Sequence, residues 1–246
     1  MLNVNNIKVM NLEGALRGMR NPMNSWDKSD SRRCLDYHVS GICYECNKQH
    51  MCVDGYIVGD ADFELARKLC KAGSDHRKFM RQILVSMDIT APLYWWKEFD
   101  TYKVGTVANS TSTMHKITSK EFVLEDFSCD HLVYDSTITL KGVIDSLNRW
   151  RDIYINGGQA QVDENDTAVY IFEPKDENVW WQLIQLLPSS YNQTRTVSLN
   201  YEVLRNIYNA RRCHKLTEWR KLCKTIEDLP LSELITNKFE YIDGGE

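Results

Sequence analysis

Apolar side chains recur at every second position in Ile83, Val85, Met87 and Ile89, a period of two that predicts a strand with one face in a core. Elsewhere the period is helical. After Asp60, a side chain suited to an N-cap, ADFELARKLCKAG places Phe63, Ala66, Leu69 and Cys70 on one face and stops at Gly73. Tyr94, Trp95, Trp96, Phe99 and Tyr102 are spaced to cover most of a short helix. Gly142 to Tyr154 is amphipathic through Val143, Ile144, Leu147, Trp150 and Tyr154. Glu177 to Leu187 carries Trp180, Trp181, Ile184 and Leu187 before Pro188 ends it. A last helix is predicted from near Val197 toward Thr225. The pattern as a whole predicts a helix-rich α+β fold.

In that last helix Asn200, Val203, Leu204, Ile207 and Arg211 follow helical offsets, so an amide and a guanidinium bracket an apolar stripe. A charge on an apolar stripe needs an anionic partner, because an unpaired buried charge costs several kcal/mol. Either a ligand or an acidic residue of the core can supply it. The segment after the tryptophans also changes character. Thr106, Asn109, Ser110, Thr111, Ser112 and Thr113 run together with Gly105 and follow Lys103. Hydroxyls, amides and exposed backbone N–H groups can cradle a phosphate or a heterocycle, although an ordinary polar loop has the same composition.

The 246 residues, 43% hydrophobic and 26% charged, can build one substantial core or two small ones. We read a single domain over 1–246 with a Cys-rich insertion at about 34–52. The chain has no apolar run of about 18 residues and no signal-peptide core at MLNVNNIKVMNLEGAL, so a cytoplasmic protein without membrane spans is expected. A net charge of −4 argues against polymeric nucleic acid and favours small anions as partners. Four of the eight cysteines, Cys34, Cys43, Cys46 and Cys52, cluster around a Cys-x-x-Cys whose bite suits tetrahedral zinc. Reduced structural thiols are the alternative.

Taken together, Ala91–His115 and Leu187–Glu218 resemble the flavin-dependent thymidylate synthases. Ala91-Pro92 matches the entry to that family's Arg-His-Arg signature, so Thr101-Tyr102-Lys103 falls on the signature and Thr106 on the Ser beyond it. With one inserted residue, Asn109 and Ser112 take the family's Asn and second Ser. Gly73 to His76 and the NSWDKSDS segment resemble upstream blocks. Downstream, Leu187-Pro188, Asn200, Asn206 and Arg211 match without a gap, and Glu218 and Arg220 resemble the tail beyond them. About two thirds of the chain is covered, with the blocks in the family's order.

The resemblance implies a thymidylate synthase-like fold with a central mixed or antiparallel sheet and a homotetramer. It also implies reductive methylation of dUMP to dTMP, with methylenetetrahydrofolate as carbon donor, FAD as cofactor and NADPH as electron source. On it Tyr102, Lys103, Asn109, Asn200 and Asn206 bind the cofactor. Glu98, Ser110, Ser112 and Arg211 line the nucleotide site, and no protein nucleophile is needed. The departures are specific. Thr101 and Lys103 replace both signature arginines, and a lysine holds phosphate as a point charge without the planar fork of arginine. Tyr102 replaces the histidine, Ser110 replaces an acidic neighbour, and Met114-His115 replaces Arg-Tyr. Glu98 replaces a Gln and would oppose an anion if turned inward. Two further readings keep the scaffold: another pyrimidine-nucleotide one-carbon transferase, or a relative that binds a nucleotide or a protein without turnover.

Overall fold

The alternating segment forms the strand Leu84–Pro92, in which Val85, Met87, Ile89 and Ala91 are all buried, with Ile83 just before it. It sits in a four-stranded sheet of order β1-β5-β9-β6, where β1 is Asn3–Met10, β5 is Leu84–Pro92, β6 is Val107–Ser110 and β9 is Asn192–Asn200. The computed structural model describes residues 2–34, 52–53, 55–161 and 169–238. Its helices and antiparallel strand pairs make an α+β fold, as expected from the sequence. Two compact units are formed, each discontinuous in sequence because the chain crosses between them repeatedly.

One unit comprises Met1–Asn3, Thr90–Asp100 and Asn109–Arg195. Its helices are α3 (Leu93–Phe99), α4 (Thr113–Lys116), α5 (Tyr134–Asn156) and α6 (Glu177–Leu186). The hydrophobic run in α3 buries Trp95, Trp96 and Phe99, whose rings meet at centroid distances of 4.9 to 5.2 Å. Leu140, Ile144 and Leu147 of α5 pack with Leu183 of α6 and with Phe122 and Phe127. The antiparallel pair β7 (Gly158–Gln161) and β8 (Val169–Phe172) adds Ala160 and Phe172 against Ile153 and Val179. The α6 face differs in part from the sequence reading: Ile184 and Leu187 pack against the core as expected, but Val179 and Leu183 are the fully buried line and Trp181 is exposed. Bulk alone misled the sequence reading, because an indole can lie along a surface while the smaller side chains at i and i+4 fill the core.

The other unit comprises Val4–Ile89, Thr101–Ala108 and Thr196–Glu246. It contains α1 (Leu12–Arg20), α2 (Asp60–Ala72), α7 (Tyr201–Arg211), α8 (Thr217–Glu227) and α9 (Glu233–Thr236). Asp60 lies inside α2 rather than at its cap. Asp30 caps it instead, its carboxylate accepting from Ala61 N at 2.8 Å and Asp62 N at 3.1 Å. Asp62, the next charge along, is wholly buried with Arg20, and Ser29 and Ser31 complete its hydrogen bonds. A small sheet places β4 (Tyr56–Ile57) between β2 (Arg32–Arg33) and β3 (Cys52–Val53), with Arg32 and Cys52 both opposite Ile57.

The helix predicted from near Val197 toward Thr225 is two helices, α7 and α8, and its first residues belong to a strand. Val197 and Leu199 are alternating buried residues at the end of β9, and the chain turns at Asn200 into α7. A second break at 212–216 separates α7 from α8. Asn200 is therefore the N-cap, its carboxamide oxygen accepting from Val203 N at 3.0 Å, and not the first member of a helical stripe. Its offset of three from Val203 fits a cap as well as a stripe, so spacing alone could not separate the two.

Candidate functional site

Within the second unit, the loop after α3 and the two ends of α7 carry the expected ligand residues. Thr106 N donates to Lys103 O at 3.3 Å and closes a turn, with Gly105 at φ 77, a backbone region that favours glycine. A Cβ at Gly105 would lie 3.0 Å from Asn200 Nδ2 and 3.2 Å from Val203 Cγ2, so the turn rests directly on the N-terminus of α7. Next to it, Thr106 Oγ1 is buried without a hydrogen-bond partner among the described residues. Buried hydroxyls are normally satisfied, so this one is a candidate for a bound group.

At the other end of α7, Arg211 Nε donates to Tyr102 Oη at 2.9 Å. The guanidinium carbon stands 4.7 Å from the centre of the Trp219 ring and 5.7 Å from that of Tyr102, and the two rings meet edge to face at 5.8 Å. Arginine on an aromatic face is held by the ring quadrupole. Trp219 belongs to α8 and is fully buried, which anchors the stack in the core. Sequence reasoning missed Trp219 as a partner of Arg211, because the helix break between them has no signature in hydrophobic spacing. Lys103 and Asn206 are exposed, and Asn200 is half-buried. Tyr102, Lys103, Asn200 and Arg211 thus belong to one loop-and-helix assembly, with Asn206 on the outer face of α7.

The remaining expected residues lie in the first unit. Asn109 and Ser110 are exposed on β6. Ser112 caps the single turn of α4, its Oγ accepting from His115 N at 3.0 Å. Thr111 is tied to β9 by its N–H to Thr194 O at 2.9 Å and by Gln193 Nε2 donating to its carbonyl at 2.9 Å. A cleft of about 140 Å³ opens here, lined by Thr111, Ser112, Thr113, Lys116, Ser119 and Lys120 among others. Lys116, which the sequence reading passed over, brings a cation to it. Glu98 is half-buried on α3. In the same unit Arg195 lies 4.2 Å above the Trp96 ring and 2.8 Å from Asp100.

Of the proposed zinc ligands, Cys34 follows β2 with its N–H donating to Gly55 O at 2.7 Å and Cys52 lies on β3, while Cys43 and Cys46 lie outside the described residues. Among the described residues no cluster of three or more His, Cys, Asp or Glu is placed to hold a metal. No helix among them is long and apolar enough to cross a membrane.

No protein-family model matches the sequence, and comparison with curated proteins by sequence returns no match. The fold does match. A crystal structure of the flavin-dependent thymidylate synthase of Helicobacter pylori complexed with FAD and dUMP aligns with a TM-score of 0.59 at 14% identity, covering 94% of this chain and 97% of that one. A second crystal structure of the Helicobacter pylori protein with FAD and dUMP gives 0.62 at 15%, covering 97% and 98%. This chain has the flavin-dependent thymidylate synthase fold. The coverage extends the resemblance of separate sequence blocks to nearly the whole thymidylate synthase chain. At this identity the likeness concerns the backbone, and the chemistry must be argued from the side chains present.

Proposed function

We propose that this protein is a flavin-dependent thymidylate synthase-like enzyme of the cytoplasm that methylates dUMP reductively to dTMP. The observation that carries this reading is the assembly around α7. A charged guanidinium is held on Trp219 and Tyr102 at one end, and at the other a glycine turn, an orphaned Thr106 hydroxyl and a capping Asn200 lie together. These are the groups a flavin and a nucleotide need: donors and acceptors for a heterocycle, close backbone approach, and fixed positive charge for an anion. The residues therefore fit FAD.

Lys103, Asn109, Asn200 and Asn206 would hold the cofactor, Lys103 by charge and the amides by hydrogen bonds, with Tyr102 at the edge of that set. When bound, the flavin supplies hydride from NADPH, and methylenetetrahydrofolate supplies the carbon. Arg211 holds the nucleotide by a charge-assisted hydrogen bond, and Ser110 and Ser112 are the hydroxyls that the resemblance assigns to the same ligand. Glu98, in the same set, disfavours a second anion beside it. No thiolate is assigned a role. Burial pushes the thiols of Cys70 and Cys223 up to about 11, which keeps both protonated and poorly nucleophilic near neutral pH. A homotetramer, in which neighbouring copies complete each site, is part of the proposal.

The replacement of both signature arginines by Thr101 and Lys103 favours one other reading, a nucleotide-binding relative without turnover. NADPH-dependent loss of the C5 hydrogen from dUMP separates the two. The enzyme releases it in a flavin-dependent manner, and the binding relative does not. Arg211→Ala should weaken dUMP binding by about 1.5–3 kcal/mol, the size of a lost hydrogen bond to a charged group.

A further inference from the structure

Arg211 is the last residue of α7. Fixing a free arginine side chain costs about 2 kcal/mol of rotamer entropy, which an unheld guanidinium would lose on meeting an anion. Here the head group is already held. Its guanidinium carbon stands 4.7 Å from the centre of the Trp219 ring, and Nε donates to Tyr102 Oη at 2.9 Å. Tyr102 is itself braced edge to face on Trp219, and the His214 ring meets that tryptophan at 6.4 Å. A guanidinium has five donors and no acceptor, so the group at position 102 must be an acceptor.

We propose that Tyr102 is a positioning residue that pre-orients Arg211 for the nucleotide anion, through the hydroxyl this chain carries at the histidine position of the signature. The proposal rests on the reading of Arg211 as the nucleotide arginine. A phenol accepts this bond at every pH of interest. An imidazole accepts only when neutral, and as a cation it would repel the guanidinium. Because Tyr102 immediately precedes the turn that rests on Asn200, the hydroxyl also ties the cofactor-side loop to the substrate arginine.

The test is calorimetric titration of dUMP into the protein supplied with FAD, for the wild type, Tyr102→Phe and Tyr102→His, from about pH 5.5 to about pH 8.5. Affinities are taken relative to wild type at each pH, which cancels the titration of the nucleotide phosphate. Tyr102→Phe keeps the ring and loses the acceptor, so its affinity should fall about tenfold at every pH. Tyr102→His should bind within about threefold of wild type at the alkaline end. It should become at least about tenfold weaker below a histidine pKa near 6.5. A packing defect would not follow that titration. Should the phenylalanine variant fail to fold, the histidine variant decides alone. Equal affinity of Tyr102→Phe and wild type, or a loss in Tyr102→His that ignores pH, would overturn the positioning role while leaving the nucleotide reading intact. A wild-type protein that binds FAD but no dUMP would remove both.

Discussion

Asp62 shows how much a single residue in the thymidylate synthase scaffold of this chain is asked to hold. It is fully buried, and it accepts from Arg20 Nε, Ser29 Oγ and Ser31 Oγ, so one carboxylate joins α1, α2 and the 25–31 segment. Burial alone would raise its pKa. The hydrogen bonds from Ser29, Ser31 and Arg20, with the charge of Arg20, more than offset burial and hold it below the ordinary aspartate value. A carboxyl with a lower pKa in the folded chain contributes stability that is fully present above its unfolded value, near 4, and is lost as pH falls through the folded one. At pH 7, Asp62→Asn should lower stability by about 3–5 kcal/mol, because Arg20 stays buried without its carboxylate. The gap between the two proteins should narrow as pH falls below about 4, as followed by urea denaturation. A gap that is absent at pH 7, or independent of pH, would show that the pair is not coupled to folding.

At the scale of elements, local period was legible in the sequence and chain direction was not. The strand at Leu84–Pro92 follows from strict alternation, α2 from one apolar face and a glycine stop at 73, and the part of α5 after Gly142 from its apolar face, while its start at Tyr134 was not read. The C-terminal region was misread because Val197 and Leu199 alternate for only two turns of period before Asn200 caps α7, too short a run to outweigh the helical offsets that follow. Asn200 and Arg211 were singled out by helical offsets and by the resemblance, yet their neighbours Trp219 and the orphaned Thr106 hydroxyl depend on tertiary packing that no spacing encodes. The α6 face has a direct check. Leu183 is fully buried against Leu140, Ile144 and Leu147, so Leu183→Ala should cost about 2–5 kcal/mol of unfolding free energy. Trp181→Ala, on the exposed side, should cost less than about 1 kcal/mol. The reverse order would restore the tryptophan face that the sequence pattern favoured.

The whole molecule has the flavin-dependent thymidylate synthase fold along nearly its full length at 14–15% identity, while Thr101, Tyr102 and Lys103, which the resemblance sets against the Arg-His-Arg signature, all differ from it. A fold tolerates such drift when the buried positions stay apolar, since cores accept hydrophobic exchange of similar volume. Ligand sites are less tolerant, and here Tyr102 on Arg211 and the exposed Lys103 would have to meet the needs of the same two ligands with different groups. The most direct measurement of that claim is the visible spectrum of the purified protein during addition of FAD and then dUMP. The account predicts a yellow protein whose flavin band shifts as dUMP saturates it. A colourless protein that takes up no added FAD would contradict it.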